Sequence, residues 1–316
     1  MDRTAAPAMT APPSLVALDW GTTSLRAYLL ARDGAVLERV ERPHGILAVA
    51  GGDFDAAFAD AAGAWLGRDA RLPAIACGMI GSRQGWREAP YAACPAGLDA
   101  LADALVPVTT RAGATLRIVP GVSLVDQDGV PDVMRGEETQ ILGQFADRQS
   151  GVAVLPGTHS KWVLVERGAI GRFATFMTGE AFAAFAAHTI LGRLMTSSAP
   201  DAGAFARGVD HAARPAAGRG GLLHRIFSAR TLGLFDEVKG EALHSYLSGL
   251  LIGCEIEEAA AWLGARPDRV TVIGAPELCA RYAAALAQRG IAAAPGLADA
   301  AACGLMRIAR AAGMAP

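Results

Sequence analysis

Two short segments share one spacing of groups suited to phosphate. Gly21-Thr22-Thr23-Ser24 and Gly157-Thr158-His159-Ser160 both read Gly-Thr-x-Ser, 136 positions apart (157 − 21). Glycine lets the backbone approach a ligand closely. Consecutive N–H groups in a tight turn make an anion-binding concavity, and Thr and Ser hydroxyls add donors. One such turn is an ordinary hairpin feature. Two in matching contexts would clamp a polyphosphate from both sides. Between them, Arg135-Gly136-Glu137-Glu138 sets two carboxylates at a predicted helix start. The helix dipole favours acids there in any case, and carboxylates also suit proton transfer from a hydroxyl. Lys161 abuts the second turn and is one of only two lysines among 29 basic residues. A point charge there would serve an anion; the plain reading is a solvated strand lysine.

The elements that must hold these groups repeat. Leu15–Asp19, Leu25–Ala31 and Ala35–Val40 read as strand, strand, strand around the first turn and an Asp33-Gly34 hairpin. Val152–Leu155, Lys161–Glu166 and Ala169–Phe176 repeat the pattern around the second turn and Arg167-Gly168. A repeat near half the chain length points to a duplicated domain. Helices are expected over Asp53–Leu66 with an Asp cap, Arg135–Asp147, Glu241–Leu263 (amphipathic), Pro276–Gln288 and Ala298–Ala312. Strands are expected over Pro73–Cys77, Leu116–Val119 and Arg269–Ile273. This order argues for α/β domains with mixed sheets.

Composition narrows the class. The 316 residues suit two domains, and a net charge of −2 with no basic run leaves no footprint for nucleic acid. No apolar stretch is long enough to span a membrane. Residues 1–13 lack the apolar core of a signal peptide and read as a disordered tail. Five cysteines without paired spacing read as free thiols of a reducing cytoplasm.

Five blocks carry a family likeness: Leu18–Arg26; Gly78–Ser82 with Gly85-Trp86 and Ala89–Tyr91; Val133–Gln140; Pro156–Trp162 with Met177–Glu180; and Leu247–Gly253. From about Leu15 onward the chain resembles the actin, hexokinase and chaperone ATPase superfamily, and within it the 2-dehydro-3-deoxygalactonokinase family. Ser160 stands where that family's pattern has Cys, and Ala275-Pro276 follows Gly274 where a polar pair is expected.

The resemblance implies two ribonuclease-H-like (actin-like ATPase) α/β domains with an ATP cleft between them, and ATP with Mg²⁺ phosphorylating 2-dehydro-3-deoxy-D-galactonate at its 6-hydroxyl. The expected domains are 14–148 and 149–296, with a terminal helix over 297–316 that could pack back on the first. Asp19, ending a buried strand, is expected to hold Mg²⁺; otherwise it closes a turn. Gly21, Thr22, Thr23, Gly157, Thr158 and His159 are expected on phosphate. Arg26 reads either as a phosphate contact or as a strand residue pairing with Glu38. Gly274 is expected beside the nucleoside. Glu137 is preferred over Glu138 as catalytic base, with Glu180 a rival also placed near substrate. Gly81, Ser82, Trp86, Tyr91, Arg135 and Lys161 are expected to bind substrate, Ser82 and Arg135 through its carboxylate. In the plain reading Trp86 merely anchors a surface loop. A small sugar acid and ATP are the expected partners, and a homo-oligomer is compatible. Two other readings stand: a same-fold kinase for another sugar or sugar acid such as the gluconate-derived epimer, or a non-catalytic nucleotide or sugar sensor.

Overall fold

The computed structural model describes residues 11–213 and 221–316. They fall into two compact units. Unit 1 contains the described residues through Gln149 together with Glu166–Gly171 and Asp299–Pro316; unit 2 contains Ser150–Val165 and Arg172–Ala298. Most of the expected tail lies outside the described residues, and the first strand already begins at Pro13.

In chain order the strands of unit 1 are β1 (Pro13–Trp20), β2 (Leu25–Ala31), β3 (Val36–Arg42), β4 (Ala74–Cys77), β5 (Tyr91–Ala93), β6 (Val106–Thr109), β7 (Thr115–Ile118), β8 (Gly121–Val125) and β9 (Pro131–Met134). The main sheet runs β3-β2-β1-β4-β7-β6. Its first three strands are antiparallel neighbours, and β4 and β7 continue in parallel. β1 sits inside the sheet, which is why Leu15–Leu18 is an uninterrupted buried run instead of an alternating one. β3 lies at the edge and exposes Glu38, Arg39 and Glu41, charges that discourage further strand pairing. A smaller sheet, β5-β8-β9, leads the chain from Met134 directly into Arg135 and Gly136.

Helix α1 (Phe54–Arg68) starts at Asp53, whose carboxylate accepts the Ala56 N–H at 3.0 Å. Such a cap is worth about 1 kcal/mol. The short α2 covers Leu98–Asp103. Helix α3 (Glu137–Gln144) is shorter at both ends than the sequence suggests. Gly136, at φ 108°, cannot continue a helix on its N-terminal side, and Phe145 is already extended.

Unit 2 repeats the plan. Its strands are β10 (Gly151–Leu155), β11 (Ser160–Glu166), β12 (Ala169–Phe176), β13 (Arg269–Val272) and β14 (Ala292–Pro295), ordered β12-β11-β10-β13-β14. β10 is antiparallel to β11 and parallel to β13. Both main sheets begin in the order third-second-first-fourth, as in the duplicated actin-like ATPase domain. The helices are α4 (Thr178–His188), α5 (Ala202–Ala213), α6 (Leu222–Arg225), α7 (Ser228–Leu234), α8 (Leu243–Leu263) and α9 (Pro276–Gln288).

The expectation for α8 needs correction. Ser245 through Ile256 is buried on every side, so this part of the helix is central and not amphipathic. α5 crosses it so closely that a Cβ on Gly249 would lie 2.0 Å from the Phe205 carbonyl oxygen.

Helix α10 (Ala300–Ala311) belongs to unit 1 and packs on α3. A Cβ on Gly304 would lie 1.9 Å from the Thr139 carbonyl oxygen, and one on Gly143 equally close to that of Ala300. Arg307 of α10 donates to the Leu142 and Phe145 carbonyls and pairs with Asp147, satisfying the end of α3. The last helix thus fixes the helix that presents Glu137.

Candidate active site

In unit 1 three chain reversals meet. A Cβ on Gly78 would lie 2.7 Å from the Trp20 carbonyl oxygen, and one on Gly136 would lie 3.1 Å from Gly78 Cα. The ends of β1 and β4 and the start of α3 therefore touch backbone to backbone, which only glycine permits at 78 and 136. This contact gathers Asp19, Gly78–Ser82 and Glu137.

Asp19 faces Cys77 across the parallel pairing and Arg26 across the antiparallel one. Its carboxylate lies 3.8 Å from the Arg26 guanidinium and 3.9 Å from Cys77 Sγ. Burial pushes its pKa above the ordinary Asp range, Arg26 pulls it back, and the Glu137 charge pushes it up again. The suggested Arg26–Glu38 pair does not form. Strand register sets Arg26 opposite Glu41, while Glu38 pairs with Arg68 and accepts from Trp65 Nε1.

The first Gly-Thr-x-Ser turn is held by Gly21 N–H donating to the Ser24 carbonyl at 2.9 Å and Ile46 N–H donating to Gly21 at 3.0 Å. Thr22 and Thr23 are left exposed, so their donors are open to a ligand.

The two carboxylates at the start of α3 differ sharply. Glu137 is partly exposed, and its Oε2 accepts from the Arg135 N–H at 3.1 Å. Glu138 is fully buried; Oε2 accepts from Gly136 N–H at 2.6 Å and Oε1 from the Thr139 hydroxyl at 2.9 Å. Burial, aided by the Glu137 charge, pushes Glu138 up to about 8. It folds the helix start and is closed to a substrate.

The expected substrate stretch divides in two. Trp86 packs against the core, its ring 6.0 Å from Phe58, and serves as the anchor. Arg83 is an exposed partner of Glu88. Tyr91, on β5, lays its ring 4.4 Å from the Arg135 guanidinium. Arg135 Nη2 donates to the Ala89 carbonyl at 2.8 Å, and Nη1 lies 2.9 Å from where a Gly81 Cβ would sit. Arg135 Nε and Nη1 and Ser82 Oγ are buried and have no hydrogen-bond partner among the described residues. Such atoms are rare in folded proteins and call for a ligand, ion or water.

In unit 2, Thr158 and His159 are exposed at the second turn while Ser160 is buried. Helix α4 braces this turn. Glu180 N–H donates to the Thr158 carbonyl at 3.0 Å, and His159 Nε2 lies 2.5 Å from Glu180 Oε2. Glu180 therefore positions His159. Lys161 is not the solvated lysine of the plain reading: it is 5% exposed, opposite Leu155. Gly274, at φ 154°, turns β13 into α9 with its Cβ direction 3.4 Å from the Pro156 carbonyl oxygen, at the entrance to the second turn.

A profile of the family described as 2-keto-3-deoxy-galactonokinase matches residues 19–308. The chain belongs to this family. It is 37% identical over 287 residues to a relative of Rhizobium meliloti (strain 1021) that bears the 2-dehydro-3-deoxygalactonokinase name, covering 90% of this chain and 92% of that one. It is 33% identical to the 2-dehydro-3-deoxygalactonokinase of Escherichia coli (strain K12), covering 87% and 90%. A crystal structure of a Sinorhizobium meliloti protein titled with the same kinase name superposes with a TM-score of 0.83 at 36% identity, over 94% of this chain and 98% of that one.

For a 2-keto-3-deoxy-galactonokinase family member, the donor set of unit 1 fits Mg²⁺. The ion takes hard oxygen ligands, typically one or two carboxylates plus substrate phosphates. Asp19 could supply one such oxygen beside the exposed Thr22 and Thr23, with the Glu137 charge close enough to disturb its titration.

Sequence reasoning missed one buried group of this family member, Glu255. The available signal was a lone carboxylate inside the apolar run Leu250–Ile256.

The contrast between the adjacent glutamates has a measurable consequence. Free in the unfolded chain, Glu138 titrates near 4.5; folded, it titrates near 8. Between these values the folded state keeps a proton that the unfolded chain has released. The carboxyl's contribution to stability is therefore full below about pH 4.5 and is lost as pH rises toward 8. Glu138→Gln should remove this loss of stability, on the order of 5 kcal/mol by the upper end, and so flatten the fall in melting temperature between about pH 5 and 8. Parallel melting curves for the two proteins across that range would contradict the assignment.

Proposed function

We infer that this protein transfers the γ-phosphoryl group of ATP to the terminal hydroxyl of 2-dehydro-3-deoxy-D-galactonate, giving the 6-phosphate and ADP in the cytoplasm. The observation that carries the reading is the family match over residues 19–308, supported by relatives aligned over nine-tenths of their length. Among the described residues no helix is long and apolar enough to cross a membrane.

The turns Gly21–Thr23 and Gly157–His159 bind the phosphates through backbone N–H groups and hydroxyls. Lys161 supplies positive charge for the transferring group, and Gly274 leaves room beside the nucleoside. Arg26 holds the Asp19 carboxylate and is available to phosphate. Asp19 would hold Mg²⁺, which when bound neutralises phosphate charge. Glu137 is the base: its partly exposed carboxylate accepts the proton of the 6-hydroxyl as that oxygen bonds to the γ-phosphorus and the bond to the ADP oxygen breaks. The unpartnered Ser82 hydroxyl and Arg135 N–H groups bind the substrate carboxylate, with Gly81 giving access and Tyr91 holding Arg135 in place. Phosphorus NMR of the product tests the regiochemistry. An ester on the C6 methylene should appear as a phosphorus signal split by two protons; an ester on a secondary carbon would overturn the choice of hydroxyl.

A further inference from the structure

Behind the second phosphate turn, on the side packed against α8 and α9, the chain holds a buried hydrogen-bonded carboxylate that the mechanism above does not use. Glu255, in the middle of α8, is 2% exposed. Its Oε1 accepts from Trp162 Nε1 at 2.8 Å and its Oε2 from the Tyr282 hydroxyl at 2.6 Å. Tyr282 OH lies 2.8 Å from Ser160 Oγ. The Thr178 hydroxyl also hydrogen-bonds the carboxylate. Each partner sits at a defined place. Ser160 closes the turn Gly157–Ser160 and Trp162 follows it on β11. Thr178 opens α4, whose Gly179 packs so tightly beneath the turn that a Cβ there would lie 2.3 Å from the Gly157 carbonyl oxygen. Tyr282 belongs to α9, the helix that follows Gly274.

We propose that Glu255 is the positioning residue of the second phosphate turn: one carboxylate ties the turn's exit strand, the start of the bracing helix α4 and the helix beyond Gly274 into one arrangement, so that the Thr158 and His159 donors meet the nucleotide already in place. This rests on the function proposed above. Trp162 Nε1 can only donate, so one acceptor oxygen is indispensable. The Tyr282 hydroxyl donates to Glu255, and Ser160 hydrogen-bonds both the carboxylate and the Tyr282 hydroxyl, so its orientation is set as well. Burying a carboxylate is costly, and burial does push this one above the ordinary Glu range against the pull of its donors. Removing the carboxylate alone would leave the Trp162 and Tyr282 donors buried without their acceptor, so an apolar replacement must disturb the groups it ties together.

The test compares Glu255→Leu, Glu255→Gln and Tyr282→Phe with wild type. It measures KM for ATP, KM for the sugar acid, kcat, and ADP affinity by calorimetry. Gln keeps an acceptor for Trp162, and Tyr282 can reverse its hydroxyl to meet the amide. Glu255→Leu should raise KM for ATP and weaken ADP binding about tenfold or more. KM for the sugar acid should stay near wild type, and Glu255→Gln should recover most of the loss. Tyr282→Phe, which removes the hydroxyl that joins Glu255 to α9 and to Ser160 but leaves the carboxylate on Trp162, should weaken ADP binding by several-fold; it decides the matter if Glu255→Leu does not fold. Unchanged ADP affinity and KM for ATP in the folded variants, with only a lower melting temperature, would overturn the positioning role. A wild-type protein that binds no ADP would instead overturn the kinase reading itself.

Discussion

Glu137→Gln is expected to lower kcat by about 10²- to 10⁴-fold, the usual range for loss of a general base. KM for ATP should change little, because Glu137 is assigned to the transition state and not to nucleotide binding. The carboxamide keeps size and keeps an oxygen for the Arg135 N–H, so the start of α3 should survive; an unchanged melting temperature would verify this. Glu138→Gln provides the internal contrast. Glu138 is fully buried and its oxygens are occupied by Gly136 and Thr139, so its loss should act on stability and its pH dependence more than on the chemical step. Steady-state kinetics of both variants separates the roles, and a larger kcat loss in Glu138→Gln would reverse the assignment.

Asp19→Asn carries the second large effect. The carboxylate ends β1 beside the exposed Thr22 and Thr23 and is held by Arg26 at 3.8 Å. Losing one preorganised electrostatic group at a phosphoryl-transfer site typically costs about 10²- to 10³-fold in kcat, and we expect a loss of that size here. A second readout is independent of turnover. In wild type, Mg²⁺ should tighten ATP binding, and in Asp19→Asn that tightening should largely vanish while metal-free ATP binds at least as well as before. The sign follows from charge: removing a carboxylate near an anionic ligand relieves repulsion once no cation is present. An Mg²⁺ effect of wild-type size in the variant would remove Asp19 from the metal site.

Much of this was legible in the chain. The two strand–turn–strand repeats, the Asp53 cap and the Pro276–Gln288 helix are local signals: glycine-bearing turns, apolar runs, a cap and an N-terminal proline. β1 was legible as a buried strand, but its central place in the sheet is set by its pairing with β2 and β4. What escaped the sequence depends on long-range pairing. Glu255 meets Trp162 and Tyr282 from 93 and 27 positions away, and no local pattern pairs them. Arg26 could be matched with Glu38 on charge alone, but strand register decides the pair, and it sets Arg26 opposite Asp19 and Glu41. Glu137 and Glu138 are indistinguishable as letters; only the Gly136 turn, which aims one carboxylate outward and folds the other beneath it, tells them apart. Lys161 could be read as a charge for an anion or as a solvated strand lysine, and only its packing within the fold removes the second reading. The all-round burial of α8 was hidden by an apolar spacing that also fits a one-sided helix.

The central claim is the reaction, and coupled ADP release tests it most directly. Purified protein, ATP and Mg²⁺ would be assayed with 2-dehydro-3-deoxygalactonate, its C4 epimer from gluconate and a set of neutral hexoses. Rapid ADP formation with the galactonate-derived acid, and none with neutral hexoses, is the predicted result. Turnover of the hexoses in preference to both acids, or no ADP with any acceptor, would contradict it.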